Sequence, residues 1–418
     1  MAGQPGPGFV MTAPPAVGPL STQGAPPRHN PLDAIKRRVR TGELGAWPVI
    51  IGLVIIWVIF QSLNDRFLTP QNLSNLALQI AATGTISVGI VLVLLLGEID
   101  LSVGSVAGVA AAALAVLTVR RGFGDITAIL LVLLLGLAIG TLQGTIFAKL
   151  GVPAFIVTLA GNIGWQGFQL YLLSPQGTIN LPYDGFIAKL THTNLGDAAG
   201  WIVGVLVVAV YALTTLRTRA RRLAAGLPGG SARDLIVRVA GLALVVAVTV
   251  WVLNSWQGVP VALLIFVGLV VVTDLILRRT RYGRSIYAVG GNAEAARRAG
   301  INVAAIRITV FAVASMLAAL GGILTASRGY AAGQSTGAGD TLLVAIAAAV
   351  IGGVSLFGGR GSPYGALLGS LVLGSITSGM FLLQLDSSVR YMITAAVLLA
   401  AVILDSLSRR GRRSSGRE

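Results

Sequence analysis

The chain contains no cysteine, two histidines and three lysines among its 418 residues, and only 11% of it is charged. Each shortage removes a class of function. Without cysteine there is no disulfide, no thiol chemistry and no thiolate-held metal. The two histidines, His29 and His192, fall in predicted loops, so no imidazole stands in an apolar segment as a base or metal ligand. A phosphate-wrapping P-loop needs Gly-Lys followed by Ser or Thr. None of Lys36, Lys149 and Lys189 follows a glycine. The chain is therefore no ATPase of that kind and implies no cofactor of its own. Soluble domains carry about 25% charged residues, more than twice the share here, which excludes a soluble globular enzyme and a disordered chain.

What is present is apolar. Hydrophobic residues make up 55% of the chain, the mean hydropathy is +0.82, and apolar runs of membrane-spanning length recur throughout. The class is an all-α polytopic membrane protein. Twelve candidate spans run over 47–63, 76–97, 101–118, 125–149, 153–173, 199–216, 235–252, 259–277, 304–326, 341–357, 363–384 and 388–406. Only Gly97-Glu98-Ile99-Asp100 separates the second from the third, which leaves broken helices as an alternative to two full crossings. Glycine reaches 54 residues, roughly 13% against a usual ~7%, as closely packed or interrupted membrane helices require. Two ladders stand out, Gly136-Gly140-Gly144 and Gly361-Gly365-Gly369. Small residues four apart make a flat face for a neighbouring backbone, either within the chain or at a subunit seam.

The net charge of +16 is distributed as a topology. No basic, aromatic-interleaved soluble domain exists to bind nucleic acid. Arginines instead cluster between spans. Twelve crossings with both termini cytoplasmic put 25 of the 31 Lys and Arg inside and six outside, as cytoplasmic loops demand. Arg120-Arg121 is the awkward outside pair. Residues 1–46 hold eight of the 16 prolines and read as a disordered cytoplasmic tail. Lys36 to Arg40 at its end anchors the first span inside. Residues 47–407 form the membrane domain, 408–418 a basic cytoplasmic tail, and 174–198 a polar external loop with Asp184 and Asp197.

Two stretches are positioned to carry function. Gly97-Glu98-Ile99-Asp100-Leu101-Ser102-Val103-Gly104-Ser105 places carboxylates beside a long apolar run. They line a water-filled path in a broken helix, or Asp100 and Ser102 cap a helix starting at Leu101, and one does not exclude the other. The stretch 278–303 is too long for a tight turn. Its Ala293 to Ala299 segment has high helix propensity, which suits a short cytosolic helix offered to a partner protein or a plain solvated loop.

Glu294-Ala295-Ala296, followed after three residues by Gly300, resembles the EAA signature of ATP-binding-cassette importer permeases. The absence of a downstream Ile-x-Leu-Pro resembles the branch serving pentoses and other monosaccharides. The Gly97–Ser105 block, the Val152–Leu159 start of the fifth span and the Ala345–Ser362 stretch support that branch, and together these stretches span about 75 to 405. Ribose-type members have about ten spans and no counterpart to residues 199–258, so the added hairpin there looks like the D-xylose-type layout. The resemblance implies a bacterial plasma-membrane permease that dimerises with a second copy, docks cytosolic ATP-hydrolysing subunits and receives sugar from an extracytoplasmic binding protein. It assigns ATPase coupling to Glu294, Ala295, Ala296 and Gly300. Relatives often carry Gly where this chain has Glu98, so it assigns Glu98 no contact with sugar. Polar residues inside spans are then the translocation-path candidates: Asp100, Ser102, Gln143, Asn162 and Gln166. Asn162 and Gln166 share a helical face and could equally bond neighbouring helices. The rival class is an ion-coupled secondary transporter, which would not need a cytosolic helix at 293–300.

Overall fold

The computed structural model describes residues 47–229 and 231–414. The expected disorder of 1–46 and the last four residues of the basic tail lie outside the described residues. The chain is helical nearly throughout, because in a bilayer only helices and closed barrels satisfy every backbone group internally. In order the elements are α1 (Trp47–Leu63), α2 (Pro70–Leu95), α3 (Val103–Ala115) with a π turn at Val116–Arg120, α4 (Asp125–Leu150) and α5 (Ala154–Leu173). Then come β1 (Thr178–Asn180), α6 (Phe186–His192), β2 (Asn194–Leu195), α7 (Asp197–Ala224), α8 (Ala232–Asn254), β3 (Val259–Pro260) and α9 (Val261–Arg279). The chain closes with α10 (Arg281–Gly291), α11 (Ala293–Arg298), α12 (Val303–Gly329), β4 (Ala331–Gly333), α13 (Thr341–Ile351), α14 (Tyr364–Leu382) and α15 (Ser387–Ser414).

Local signals set many of the ends. Thr69 caps α2 by accepting the Asn72 N–H, and Pro70 occupies the first turn, where its missing N–H costs nothing. Asp125 opens α4 and Lys149 closes it, each matching the helix dipole. Among the described residues, eight helices are long and apolar enough to cross a membrane: α2, α3 with its π turn, α4, α7, α8, α9, α12 and α14. Helices α1 and α13 and the start of α15 are apolar but shorter. The expected span over 341–357 is corrected: α13 stops at Ile351, where Gly353 takes a left-handed turn (φ 91°) and a glycine-rich loop carries the chain to α14. His192 also differs from its expected loop, since it ends α6 and stacks on Tyr330 with ring centroids 4.1 Å apart.

Helix α12 is the hub, packed most extensively against α4, α2 and α3. Small residues make this possible. The ladder Gly136-Gly140-Gly144 lies on α12, where a methyl group at Gly136 would sit 2.7 Å from the Ala319 Cβ and one at Gly144 2.9 Å from the Ile308 Cα. Gly89 of α2 approaches the Ala314 carbonyl, and Gly322 of α12 abuts the Ala107 carbonyl of α3. The second ladder packs on α13: a methyl group at Gly365 would lie 2.9 Å from the Gly352 carbonyl oxygen. Both ladders are thus internal seams of this chain. Helices α7 and α8 form a peripheral hairpin, joined where Gly204 meets Val246 and Val250, with Ile202, Leu206, Leu244 and Val245 turned outward as a lipid-facing surface.

The loops gather at two ends. One end brings together Gly97–Asp100, Thr280–Asn302 and Gly352–Pro363. The other joins Arg120–Gly124, Ser174–Gly196 and Tyr330–Asp340, where β1 pairs antiparallel with β4 and β2 with β3. The awkward Arg120 has structural work at this second end: its guanidinium donates to the Leu172 and Ser174 carbonyls (3.0 and 2.9 Å), capping α5.

Gly140→Ala places a methyl group against the Phe311 carbonyl and is expected to destabilise the protein by about 1–3 kcal/mol. Gly241→Ala, at a helical site with nothing within 4 Å, is expected to be neutral or stabilising by up to about 1 kcal/mol. Thermal unfolding midpoints in detergent check the opposite signs.

Candidate functional site

Three polar arrangements lie along the axis joining the two ends. The first sits where α2 gives way to α3. Gly97 turns the chain with φ 78°, and Asp100 is fully buried behind it. The Asp100 Oδ1 accepts both the Ser102 N–H (2.8 Å) and the Ser102 hydroxyl (2.6 Å). This is a local turn of the kind short acidic side chains favour. The capping expectation is corrected accordingly: α3 begins at Val103, and the Ser102 hydroxyl is turned to the carboxylate rather than to the helix amides. Ser102 Oγ also lies 3.0 Å from the Gln143 side chain of α4. A hydroxyl has one proton, already given to Asp100, so Ser102 must accept from Gln143, and the amide must present its NH₂. That orientation also turns the amide oxygen toward the side where Trp165 Nε1 and Gln143 lie together against Gly161. Asp100 Oδ2 and Trp165 Nε1 are buried here without a hydrogen-bond partner among the described residues. The N-terminal dipole of α3 supplies the local positive potential a buried carboxylate needs.

The second arrangement is a cavity of about 90 Å³ lined by Ser105 of α3, Asn162, Gln166 and Gln169 of α5, and Gly337–Gly339 with Leu342. Ser105 bonds the Asn162 carboxamide and the Asn162 carbonyl, the latter at 2.9 Å. Gln169 donates to the carbonyls of Gly333 (3.0 Å) and Thr336 (2.9 Å), stitching the 333–339 loop over the cavity. The same loop lies on α3 at Gly104 and Gly108, where any side chain would collide with it. Of the five path candidates, Asp100, Ser102 and Gln143 therefore form one cluster, and Asn162 and Gln166 line a separate cavity. Ser102 and Ser105, one turn apart on α3, bridge the two levels. Gln169 and Ser105 escaped the sequence reading, although Gln169 follows Asn162 and Gln166 at the helical spacing i, i+4, i+7.

The third arrangement is the α10–α11 segment at the first end. Sequence analysis expects one helix here; the structure has two, with α10 the addition. Asn292 accepts the Ala295 N–H and starts α11. Gly300, at φ 81°, ends it: its N–H reaches the Arg297 carbonyl and the Ile301 N–H reaches Ala296. That pair of bonds is a Schellman closure, which is why a glycine stands there. Glu294 is exposed and pairs with Arg297 (3.5 Å) and Arg298 (3.2 Å), while Ala296 is buried as the anchor. Asn302 caps α12 by accepting the Ala305 N–H, so the segment runs directly into the hub helix. Arg307, in the second turn of α12, pairs with Glu98 at 3.2 Å and lies 4.6 Å over the Phe147 ring. Glu98 is thus an ion-pair partner at the rim and lines no part of the cavity. In α10, Tyr287 donates to the Gly361 carbonyl at 2.9 Å, and burial raises its pKa, keeping it a donor at neutral pH.

Asp100→Asn keeps an acceptor for Ser102 and removes a buried charge, so its unfolding midpoint is expected to match or exceed the parent. Asp100→Leu strands the Ser102 N–H and hydroxyl and is expected to cost about 1–3 kcal/mol. The ordering of the two midpoints in detergent checks the assignment.

Comparison with known proteins places this arrangement among transport proteins. A family profile described as branched-chain amino acid transport system / permease component matches residues 72–402. The xylose transport system permease protein XylH of Escherichia coli K12 is 36% identical over 369 residues, covering 88% of this chain and 93% of the relative. XylH of Haemophilus influenzae is 33% identical over 374 residues, covering 89% and 99%. The ribose import permease protein RbsC of Escherichia coli K12 is 32% identical over 357 residues, covering 85% and 92%. No solved structure matches the chain. With a profile running from within α2 to within α15 and relatives matched along nearly their whole length, the chain belongs to this family of transport-system permease components.

Proposed function

We propose that the chain is the membrane permease of an ATP-binding-cassette importer for a monosaccharide, D-xylose first. The observation that carries this reading is the α10–α11 segment. It is a rigidly capped helical pair held at one end of the bundle, continuous with the hub helix, in a chain with no P-loop of its own. Such a handle suits docking of a separate subunit that hydrolyses ATP. The names of the relatives add the sugar, since XylH and RbsC are named for xylose and ribose transport.

In this reading the end holding α10–α11 faces the cytoplasm, in keeping with 25 of the 31 basic residues on that side. Both termini are then cytoplasmic, α5 and the shorter helices complete twelve crossings, and the α7–α8 hairpin within 199–258 is an addition to a ten-span core. Cytosolic ATPase subunits dock on Glu294, Ala295, Ala296 and Gly300 of each of two permease copies, and a sugar-binding protein docks at the opposite, extracytoplasmic end. The path follows Asp100, Ser102 and Gln143 on the cytoplasmic side and Ser105, Asn162, Gln166 and Gln169 above them. These groups offer hydroxyl and amide partners that replace a sugar's hydration shell. Gln169 ties the 333–339 loop to α5 in this state, and passage requires α3 and α5 to part from that loop. The permease contributes no covalent step. To swing a two-state path from one side to the other, ATP must favour one state by about 5.5 kcal/mol relative to the other.

Proteoliposomes holding the permease, its ATPase subunit and the sugar-binding protein are expected to take up xylose only with ATP. Uptake driven by a proton or sodium gradient without ATP would overturn the importer reading. Glu294→Arg is expected to cut recovery of the ATPase subunit with the tagged permease by about tenfold, with insertion in the membrane unchanged. Equal recovery would contradict the docking role.

A further inference from the structure

Three stretches of backbone meet at the cytoplasmic end with no side chain between them. Gly290, the penultimate residue of α10, lies on the Leu95 carbonyl that ends α2. A methyl group there would collide with that oxygen and come within 2.8 Å of the Gly359 nitrogen. Gly358 lies against the Gly290 carbonyl and is packed on Gly97: a methyl group on it would be 2.8 Å from the Gly97 nitrogen. A methyl group at Gly97 would in turn lie 3.3 Å from the Phe357 carbonyl oxygen. The Gly359 N–H donates to the Leu95 carbonyl at 2.9 Å, and the Tyr287 hydroxyl binds Gly361 beside it. Glycine is demanded here by contact and not by local composition, because Gly291, the next residue, has nothing within 4 Å of its own Cβ position.

We propose that Gly97, Gly290 and Gly358, with the Tyr287–Gly361 bond, form a backbone joint that couples the ATPase-docking segment to the translocation path, with Gly290 as its positioning residue. The proposal rests on the reading of α10–α11 as the docking segment. Backbone against backbone is the stiffest contact available, since it has no rotamers to absorb displacement. The joint holds Gly97, three residues from Asp100, so displacement of α10 shifts the turn that carries the Asp100–Ser102–Gln143 cluster. The Glu98–Arg307 pair holds the next residue of the same turn to α12. The turn is therefore gripped by the docking segment itself, through α10, and by α12, the helix that follows it.

The test compares Gly290→Ala with Gly291→Ala in the reconstituted importer. Gly290→Ala is expected to keep its ATPase subunit and basal ATP hydrolysis. Stimulation of hydrolysis by sugar-loaded binding protein and xylose uptake are both expected to fall about tenfold, within the range of ordinary coupling energies. Gly291→Ala is expected to behave as the parent. Parent-like stimulation and uptake in Gly290→Ala would overturn the joint. Retention of the ATPase subunit by Glu294→Arg in the same preparation would instead overturn the docking reading beneath it. If Gly290→Ala fails to accumulate in membranes, Tyr287→Phe decides: removing one neutral hydrogen bond is expected to lower stimulation and uptake about threefold to fivefold with basal hydrolysis intact. Unchanged coupling in that variant contradicts the proposal.

Discussion

In an apolar solvent two helices gain little by burying leucine against each other, so what holds them is how near their backbones can come. Helix α12 shows the consequence. It receives α4 through Gly136, Gly140 and Gly144, α2 through Gly89, and α3 through its own Gly322. With its neighbours at backbone distance on several sides, α12 fixes where the turn at 97–102 sits, where Gln143 reaches Ser102, and where α5 closes the cavity. The same seams explain the glycine surplus without appeal to flexibility: at these contacts a side chain has no room.

Polar groups inside this frame are few and nearly all spoken for. Ser105, Asn162 and Gln169 bond one another or the 333–339 loop, and Ser102 bonds both Asp100 and Gln143. Buried polar groups are costly unless partnered, so along the path proposed above each of these partnerships is exchanged for sugar or water on passage. That exchange is a reason to build a path from hydroxyls and amides, whose bonds are replaceable at small net cost, with a single carboxylate held against a helix N-terminus.

Much of this was legible in the chain itself. The helices α1, α4 and α5 lie where apolar runs predict them, because hydropathy reads the membrane solvent directly. Glu294 to Gly300 carried its own capping signals, an acid in the first turn and a glycine at the close. What escaped had non-local causes. The end of α13 at Ile351 is set by glycines after an apolar run that continues to Phe357, so hydropathy overshoots it. The helical state of α10 depends on Thr280 accepting the Gly283 N–H and on packing against α9 and α12. Gln169 lay in register with Asn162 and Gln166, yet its role is to hold a loop more than 160 residues away. The partner of Glu98, Arg307, lies more than 200 residues away in the chain, so no local pattern announced the pair.

The central claim is that the ATPase subunits, acting at α10–α11, decide which side of the membrane the Asn162–Gln166 cavity faces. The absence of cysteine makes a direct measurement possible, since Asn162→Cys or Gln166→Cys is then the sole thiol in the permease. Membrane-impermeant thiol reagents applied from each side of proteoliposomes, with and without ATP trapped on the ATPase subunits, read the side of access. Labelling is expected from one side without nucleotide and from the other with ATP trapped. Labelling from the same side in both states would contradict it.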